Sequence, residues 1–303
     1  MTDRAVVVYG SANVDLTVHT DRAPGAGETV LGHGFTQGNG GKGANQAMAA
    51  VRMGASTRFV GCIGDDALGQ RLAGGLTDAG VDTSRVVRVR GMPTGVALIV
   101  VDGAADNRIV VAPGANAALD GHDTAGLAAA LAGAAVLLLQ LEVPMAGVLA
   151  AAREARRRGV IVVLDPAPVP PAGVPDALLA LTSIVTPNEH ESALLAGTDD
   201  VTAALGALRR RGTETAIVTL GANGARWSGP DGDGAAPAPP VTALDTTGAG
   251  DAFNGALATA LAEGHDLSTA IGWALAAGAL AVTRPGAQDA MPARADVLAL
   301  VGS

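Results

Sequence analysis

The chain has 303 residues, 49% of them hydrophobic but only 2% aromatic, and a net charge of −9. That length can bury one large α/β core, which must be built from Ala, Val and Leu, and a sugar ligand would have to be held by hydrogen bonds because stacking platforms are scarce. The acidic balance argues against nucleic-acid binding; the lone cysteine, Cys62, excludes an intrachain disulfide, and the histidines at 19, 33, 122, 190 and 265 show no ligand-like clustering.

From the N-terminus, Ala5 to Gly10 reads as a buried strand. The polar Ser11-Ala12-Asn13-Val14-Asp15 follows, then the alternating Leu16-Thr17-Val18-His19. Asn13 and Asp15 are two apart, so an extended chain points both to one side. The glycine-rich stretch Gly38 to Gly43 forms a loop that leads into a helix from about Ala44 to Met53. Strand 57–63, helix 66–79 and strand 86–89 continue the alternation. The apolar pieces 95–101 and 108–112 flank Asp102-Gly103 with no helix between them, which predicts a hairpin. Together with 14–36 this hairpin predicts a small sheet annexed to the main domain.

After residue 121 helices and strands alternate cleanly, with helices at 122–132, 144–158, 175–181, 188–196 and 200–211. The strands are expected at 135–139, 160–164, 183–186, 214–220, 224–228 and 235–242. Helices 249–263, 267–283 and 293–301 close the chain. Continuous apolar strands such as Ala135–Leu139 suit a parallel sheet covered on both faces. Ligands of such sheets bind beyond the C-terminal strand ends, where Asn13, Asp15, Glu142, Asp165, Asn188 and Thr219 fall. Glu142 would serve equally well as a helix-start residue before Pro144, Asn188 and Glu191, three apart on one helix face, read as surface polars, and Thr186-Pro187-Asn188-Glu189 reads as a capping box.

Two stretches carry chemistry. Asp245-Thr246-Thr247-Gly248-Ala249-Gly250-Asp251 runs into a helix whose apolar positions begin at Phe253. The unpaired N–H groups and dipole of a glycine-lined helix start favour an anion, and Asp251 in that turn can be a base or merely a cap. The second is Gly40-Gly41-Lys42-Gly43. All but one of the 20 Lys plus Arg residues are arginine, so Lys42 stands out as a compact point charge kept where arginine is otherwise used. Gly38-x-Gly40-x-x-Gly43 with Asp65 also matches a dinucleotide fingerprint, so an NAD-linked oxidoreductase is a rival reading. Its preceding segment, Gly32 to Gln37, is a poor buried strand. A Walker A reading fails because Gly43 follows Lys42.

These motifs, with Pro113-Gly-Ala-Asn116-Ala, Gln140-Leu-Glu142-Val-Pro144, Thr219-Leu-Gly221 and Ala281-Val-Thr-Arg284-Pro-Gly286-Ala-Gln288, resemble the PfkB carbohydrate kinase family nearly end to end. Within it the ribokinase branch is most similar. The resemblance implies one ribokinase-like α/β domain over 1–303, a three-layer sandwich with a mostly parallel central sheet. A small β-sheet lid would come from about 14–36 and 95–112. It implies ATP-dependent phosphorylation of the 5-hydroxyl of D-ribose, with another sugar such as deoxyribose or fructose, or a nucleoside, as alternatives.

Carried over by motif, Asn13, Asp15, Gly41, Lys42, Gly43, Asn45 and Glu142 would hold the sugar, and Asp251 would be the general base. Gly248, Ala249 and Gly250 would form the anion hole with Asp251. Asn188, Thr219, Gly221, Ala222, Asn223, Gly224, Gly250 and Leu275 would contact ATP. Glu191 would order the water shell of Mg2+. A K+ loop maps to Asp245, Thr247, Ala281, Arg284 and Gly286. Leu275 stands where the family commonly has His or Asn, and Ala290 where a serine can help ligate the cation. The family also implies a homodimer through the lid. No signal peptide is evident in Met-Thr-Asp-Arg and the short run to Tyr9, and Ser268 to Val282 falls short of the roughly 18 residues that span a bilayer. A cytoplasmic protein without a membrane partner is expected.

Overall fold

The computed structural model describes residues 4–104 and 106–302. Residues 1–3, 105 and 303, which the 1–303 span and the 95–112 lid segment include, lie outside the described residues. In chain order the elements are β1 (Ala5–Tyr9), β2 (Asn13–His19), β3 (Gly34–Gly40), α1 (Lys42–Arg52), β4 (Thr57–Gly64), α2 (Ala67–Asp78), β5 (Asp82–Val89), β6 (Gly95–Val101) and β7 (Asn107–Ala112). Then come α3 (Thr124–Ala130), β8 (Ala134–Leu139), α4 (Met145–Arg157), β9 (Ile161–Leu164), α5 (Asp176–Leu179), β10 (Ile184–Val185), α6 (Glu189–Ala196), α7 (Val201–Arg210) and β11 (Thr215–Thr219). Last are β12 (Ala225–Gly229), β13 (Gly232–Ala236), α8 (Ala249–Glu263), α9 (Leu267–Ala281) and α10 (Arg294–Val301).

Nine strands form one sheet in the order β13-β12-β11-β10-β9-β8-β1-β4-β5, parallel except for the antiparallel β12 and β13 at one edge. Successive residues of β1 feed opposite cores. Val6 and Val8 pack toward α1, α8, α9 and α10, whereas Val7 and Tyr9 pack toward α3, α4, α5 and α7. Because side chains alternate across a strand, this apolar strand becomes the middle layer of three. The predicted strand 235–242 stops at Ala236. Pro237, Pro239 and Pro240 follow, and proline cannot donate to a ladder.

The pieces around 14–36 and 95–112 form a separate four-stranded sheet, β3-β2-β6-β7. β2 runs antiparallel to β3 and parallel to β6. All six residues of β7 are exposed. β2 continues from β1 after only three residues, and α1 begins two residues after β3 ends. The small sheet is thereby sewn to the large one beside the ends of its strands.

Candidate active site

Two helix starts converge on the polar cleft. α8 begins at Gly248, whose φ of 76° is left-handed and suits glycine, and Asp251 in its first turn is only 5% exposed. An added side chain at Gly250 would meet nothing within 4 Å, and the Ala249 N–H of this turn donates to the Thr246 carbonyl at 3.3 Å. A cavity of about 180 Å3 lies against the turn, lined by Lys42, Asp165, Asn188, Glu191, Thr219 and residues 248–251 among others. A larger hollow of about 470 Å3 around Arg156 and Glu214 lies away from these residues.

α1 begins after Gly41, whose φ of 88° only glycine adopts readily. A Cβ there would sit 2.6 Å from the Asn13 backbone nitrogen. Gly41 offers no side-chain cap. Glu142, from the segment after β8, supplies one: its Oε2 accepts from the Lys42 backbone N–H at 3.0 Å and from Ser11 Oγ at 2.5 Å. A carboxylate at a helix start is favoured by the dipole. Glu142 therefore caps α1 rather than the helix that follows it in sequence.

Asp251 is held on both oxygens. Asn45 Nδ2 donates to its Oδ2 at 2.9 Å and Gln46 Nε2 to its Oδ1 at 3.1 Å. The same Gln46 nitrogen donates to Asp165 Oδ2 at 2.9 Å, and Gln46 Oε1 accepts from Gln140 Nε2 at 2.6 Å. Lys42 Nζ stands 3.8 Å from Asp165 Oδ2. Asn45 Oδ1 is buried without a partner, an acceptor that a bound hydroxyl could satisfy. At the start of β2, Asn116 Nδ2 donates to Asn13 Oδ1 at 2.7 Å, which leaves Asn13 its own amide protons. Asn13 and Asp15 share a face of β2, as their spacing predicts.

The charges are unbalanced. Burial, the Glu142 carboxylate and the Asp251 carboxylate push the Asp15 carboxyl up to about 6. Burial lifts Asp165 to about 7 against the pull of Lys42, with Asp251, Glu191 and Glu142 adding to the rise. For Asp251 burial again dominates and raises it, opposed by Lys42 and by the Asn45 and Gln46 amides. Burial would discharge Lys42, but Asp165, Asp251, Glu142 and Glu191 hold its ammonium above its ordinary value.

Asn188 and Glu191 reach the cleft from the start of α6. The capping box there joins these two: Asn188 Oδ1 accepts from the Glu191 N–H at 2.8 Å, and Glu191 Oε2 from the Asn188 N–H at 2.9 Å. It is not the Thr186 and Glu189 pair expected from sequence, because Asn188 rather than Thr186 is the N-cap. Thr219 bridges Asn188 at the adjacent strand end, and Gly221–Asn223 is an exposed 3-10 turn closed by Gly224. Leu275 packs in the core of α9 at 7% exposure. Asp245 Oδ1 accepts from the Thr247 N–H at 2.9 Å and Oδ2 from the Gly286 N–H at 2.8 Å. Arg284 donates its N–H to the Ala281 carbonyl at 3.3 Å and pairs with Asp296. The proposed cation loop is thus one bonded unit, with the Val282 carbonyl receiving the N–H groups of Leu244 and Asp245.

The dinucleotide reading fails on topology. Gly38 and Gly40 lie on β3, antiparallel to β2 in the small sheet, so no strand of a parallel β–α–β unit feeds α1 there. Asp65 is exposed before α2. Sequence reasoning missed Gln46, Gln140 and the role of Asp165. Gln140 sits inside a quoted motif, Gln46 four residues past Lys42 on the helix that motif starts, and Asp165 stood among the strand-end polars.

A family model described as pfkB family carbohydrate kinase matches residues 3–294. The chain is 39% identical over 300 residues to a ribokinase of Haemophilus influenzae, with 97% of each chain covered. It is 34% identical over 292 residues to a deoxyribokinase of Salmonella typhi, with 95% of each covered. Among solved structures, ribokinase of Arabidopsis thaliana complexed with ribose and ATP is similar at a TM-score of 0.91 and 32% identity, covering 99% of both chains.

Proposed function

Because this chain belongs to the pfkB family of carbohydrate kinases, we propose that it transfers the γ-phosphoryl group of ATP to the 5-hydroxyl of D-ribose, giving D-ribose 5-phosphate and ADP. The observation that carries the reading is Asp251, buried beside a helix N-terminus and held on both oxygens by amides. A carboxylate raised by burial is a competent acceptor for a hydroxyl proton. The N–H groups of Gly248, Gly250 and Asp251 would meet the charge that collects on the phosphoryl oxygens in transfer, and that of Ala249, bonded to the Thr246 carbonyl at 3.3 Å, would join them on exchanging that bond.

Asn13, Asp15, Lys42, Asn45 and Glu142 ring the sugar with donors and acceptors, and Gly41 and Gly43 let the backbone approach. Asn188 and the 219–224 loop would hold ATP, with Leu275 as the family position nearest the adenine. Lys42 is outnumbered by Asp165, Asp251, Glu142 and Glu191, a balance that repels a bare triphosphate. The all-oxygen donors fit a hard divalent ion that keeps its waters, so Mg2+ is assigned to the Glu191 side of the cavity; when bound it neutralises phosphate charge. The oxygen-rich unit of Asp245, Thr247, Ala281, Arg284 and Gly286 fits K+, which would steady the turn before α8. A second copy of the chain covers the small sheet. Among the described residues no helix is long and apolar enough to cross a membrane, and a cytoplasmic setting suits the substrates.

The deciding experiment measures ADP release with ribose, deoxyribose, fructose and adenosine, each with and without K+. Ribose is expected to lead. A lead for deoxyribose would move the substrate to the reaction that the Salmonella relative is named for; no release with any sugar would overturn the kinase reading.

A further inference from the structure

Gln46 is fully buried, and its amide nitrogen donates to two carboxylates that come from different elements, Asp251 on α8 and Asp165 after β9. A glutamine has two amide protons and one carbonyl oxygen. Here both protons are used, and the oxygen is fixed by Gln140, itself 0% exposed. A flipped amide would turn its carbonyl oxygen on both carboxylates and its protons on Gln140 Nε2, so the network has one orientation. The other face of Asp165 is met by Lys42 Nζ at 3.8 Å.

We propose that Gln46 and Asp165 are positioning residues for the transfer: Gln140 orients Gln46, Gln46 ties Asp251 to Asp165, and Asp165 anchors the Lys42 ammonium beside the sugar. This rests on the reading of Asp251 as the base. The arrangement pulls in two directions. Gln46 donates to the ionised form of Asp251 and favours it, while an Asp165 anion across the same amide disfavours it. The other charged groups around Asp251 are Lys42 from α1, Glu142 from the segment after β8, Glu191 from α6 and Asp15 from β2. None of these charges is itself removed when Asp165 or Gln46 is changed.

The test compares Asp165→Asn, Gln46→Met and the double variant. The first readout is the acid limb of the pH profile of kcat/KM for ribose; the second is the carboxyl 13C titration of Asp251 in the ligand-free protein, which needs no turnover. Asp165→Asn should move both to lower pH by about one pH unit. Gln46→Met should move both to higher pH by a similar amount, and the double variant should return toward the parent. Variants that melt cooperatively like the parent but leave the Asp251 titration in place would overturn the proposal, because a merely structural role changes the amount of active protein and not its titration. If Gln46→Met fails to fold, Asp165→Asn decides alone. Failure of the parent to phosphorylate ribose would count against the function, while the 13C titration would still judge the network.

Discussion

Replacing Asp251 with Ala would remove the proposed acceptor for the hydroxyl proton while leaving the backbone N–H groups of its turn in place. Turnover is expected to fall by about 10²–10⁴, with ribose binding by calorimetry largely kept; substantial residual turnover would remove Asp251 from the role of base. At this scale the sequence was most informative where a residue type is rare or a turn is distinctive. Lys42 is the chain's only lysine, and Asp251 follows two glycines at a helix start. Both meet in the cleft. Gln46, Gln140 and Asp165 were illegible in their roles because their contacts span 94 to 205 positions of sequence, and an amide that joins two carboxylates leaves no periodic trace. Leu275 lies in the core for an equally plain reason: α9 is apolar on nearly every side, so its burial follows from packing.

At the level of elements, α1 depends on a cap supplied from a hundred residues away. Glu142→Ala would strip the acceptor from the Lys42 N–H and the Ser11 hydroxyl, at a cost of about 1–2 kcal/mol. Differential scanning calorimetry should show a melting temperature lower by a few degrees, with Glu142→Gln keeping most of it through its remaining carbonyl oxygen. An unchanged melting temperature in Glu142→Ala would mean that the cap contributes nothing. Element existence was readable from hydrophobic period, since nearly every predicted helix and strand is present. The ends were harder. α1 starts before Ala44 because its cap is remote, and β13 ends early at the prolines. The capping box of α6 sits two residues later than its local pattern implies. Sequence neighbours announce a cap only when the cap is local.

For the whole molecule, the small sheet poses a packing problem that one chain does not solve. By register, Val18, Phe35, Leu98 and Val110 share its outer face, and they are 39%, 63%, 51% and 68% exposed. Ile109 and Val111, on the face of Asp15, are exposed too. Apolar area of this kind is what the proposed second copy would cover. Sedimentation velocity is expected to show a dimer, and Val110→Asp a monomer; a monomeric parent would refute the second copy as the cover. The ribokinase-like α/β sandwich itself was legible from the alternation of apolar strands and helices, and the structural neighbours agree with it.

The chain passes between the two sheets at residues 10–12, at Gly41, at 90–94 and at Pro113. Asn116 binds Ala12 and Asn13 together across two of those passages, and Asp66 ties a third by accepting from the Thr94 N–H and hydroxyl. Asn13, Asp15, Gly41 and Lys42, the residues proposed to bind the sugar, sit on or next to the first two. Recognition and articulation therefore draw on the same few peptides. On the proposed reading, a mutation that retunes substrate choice there would also change how the sheets are joined.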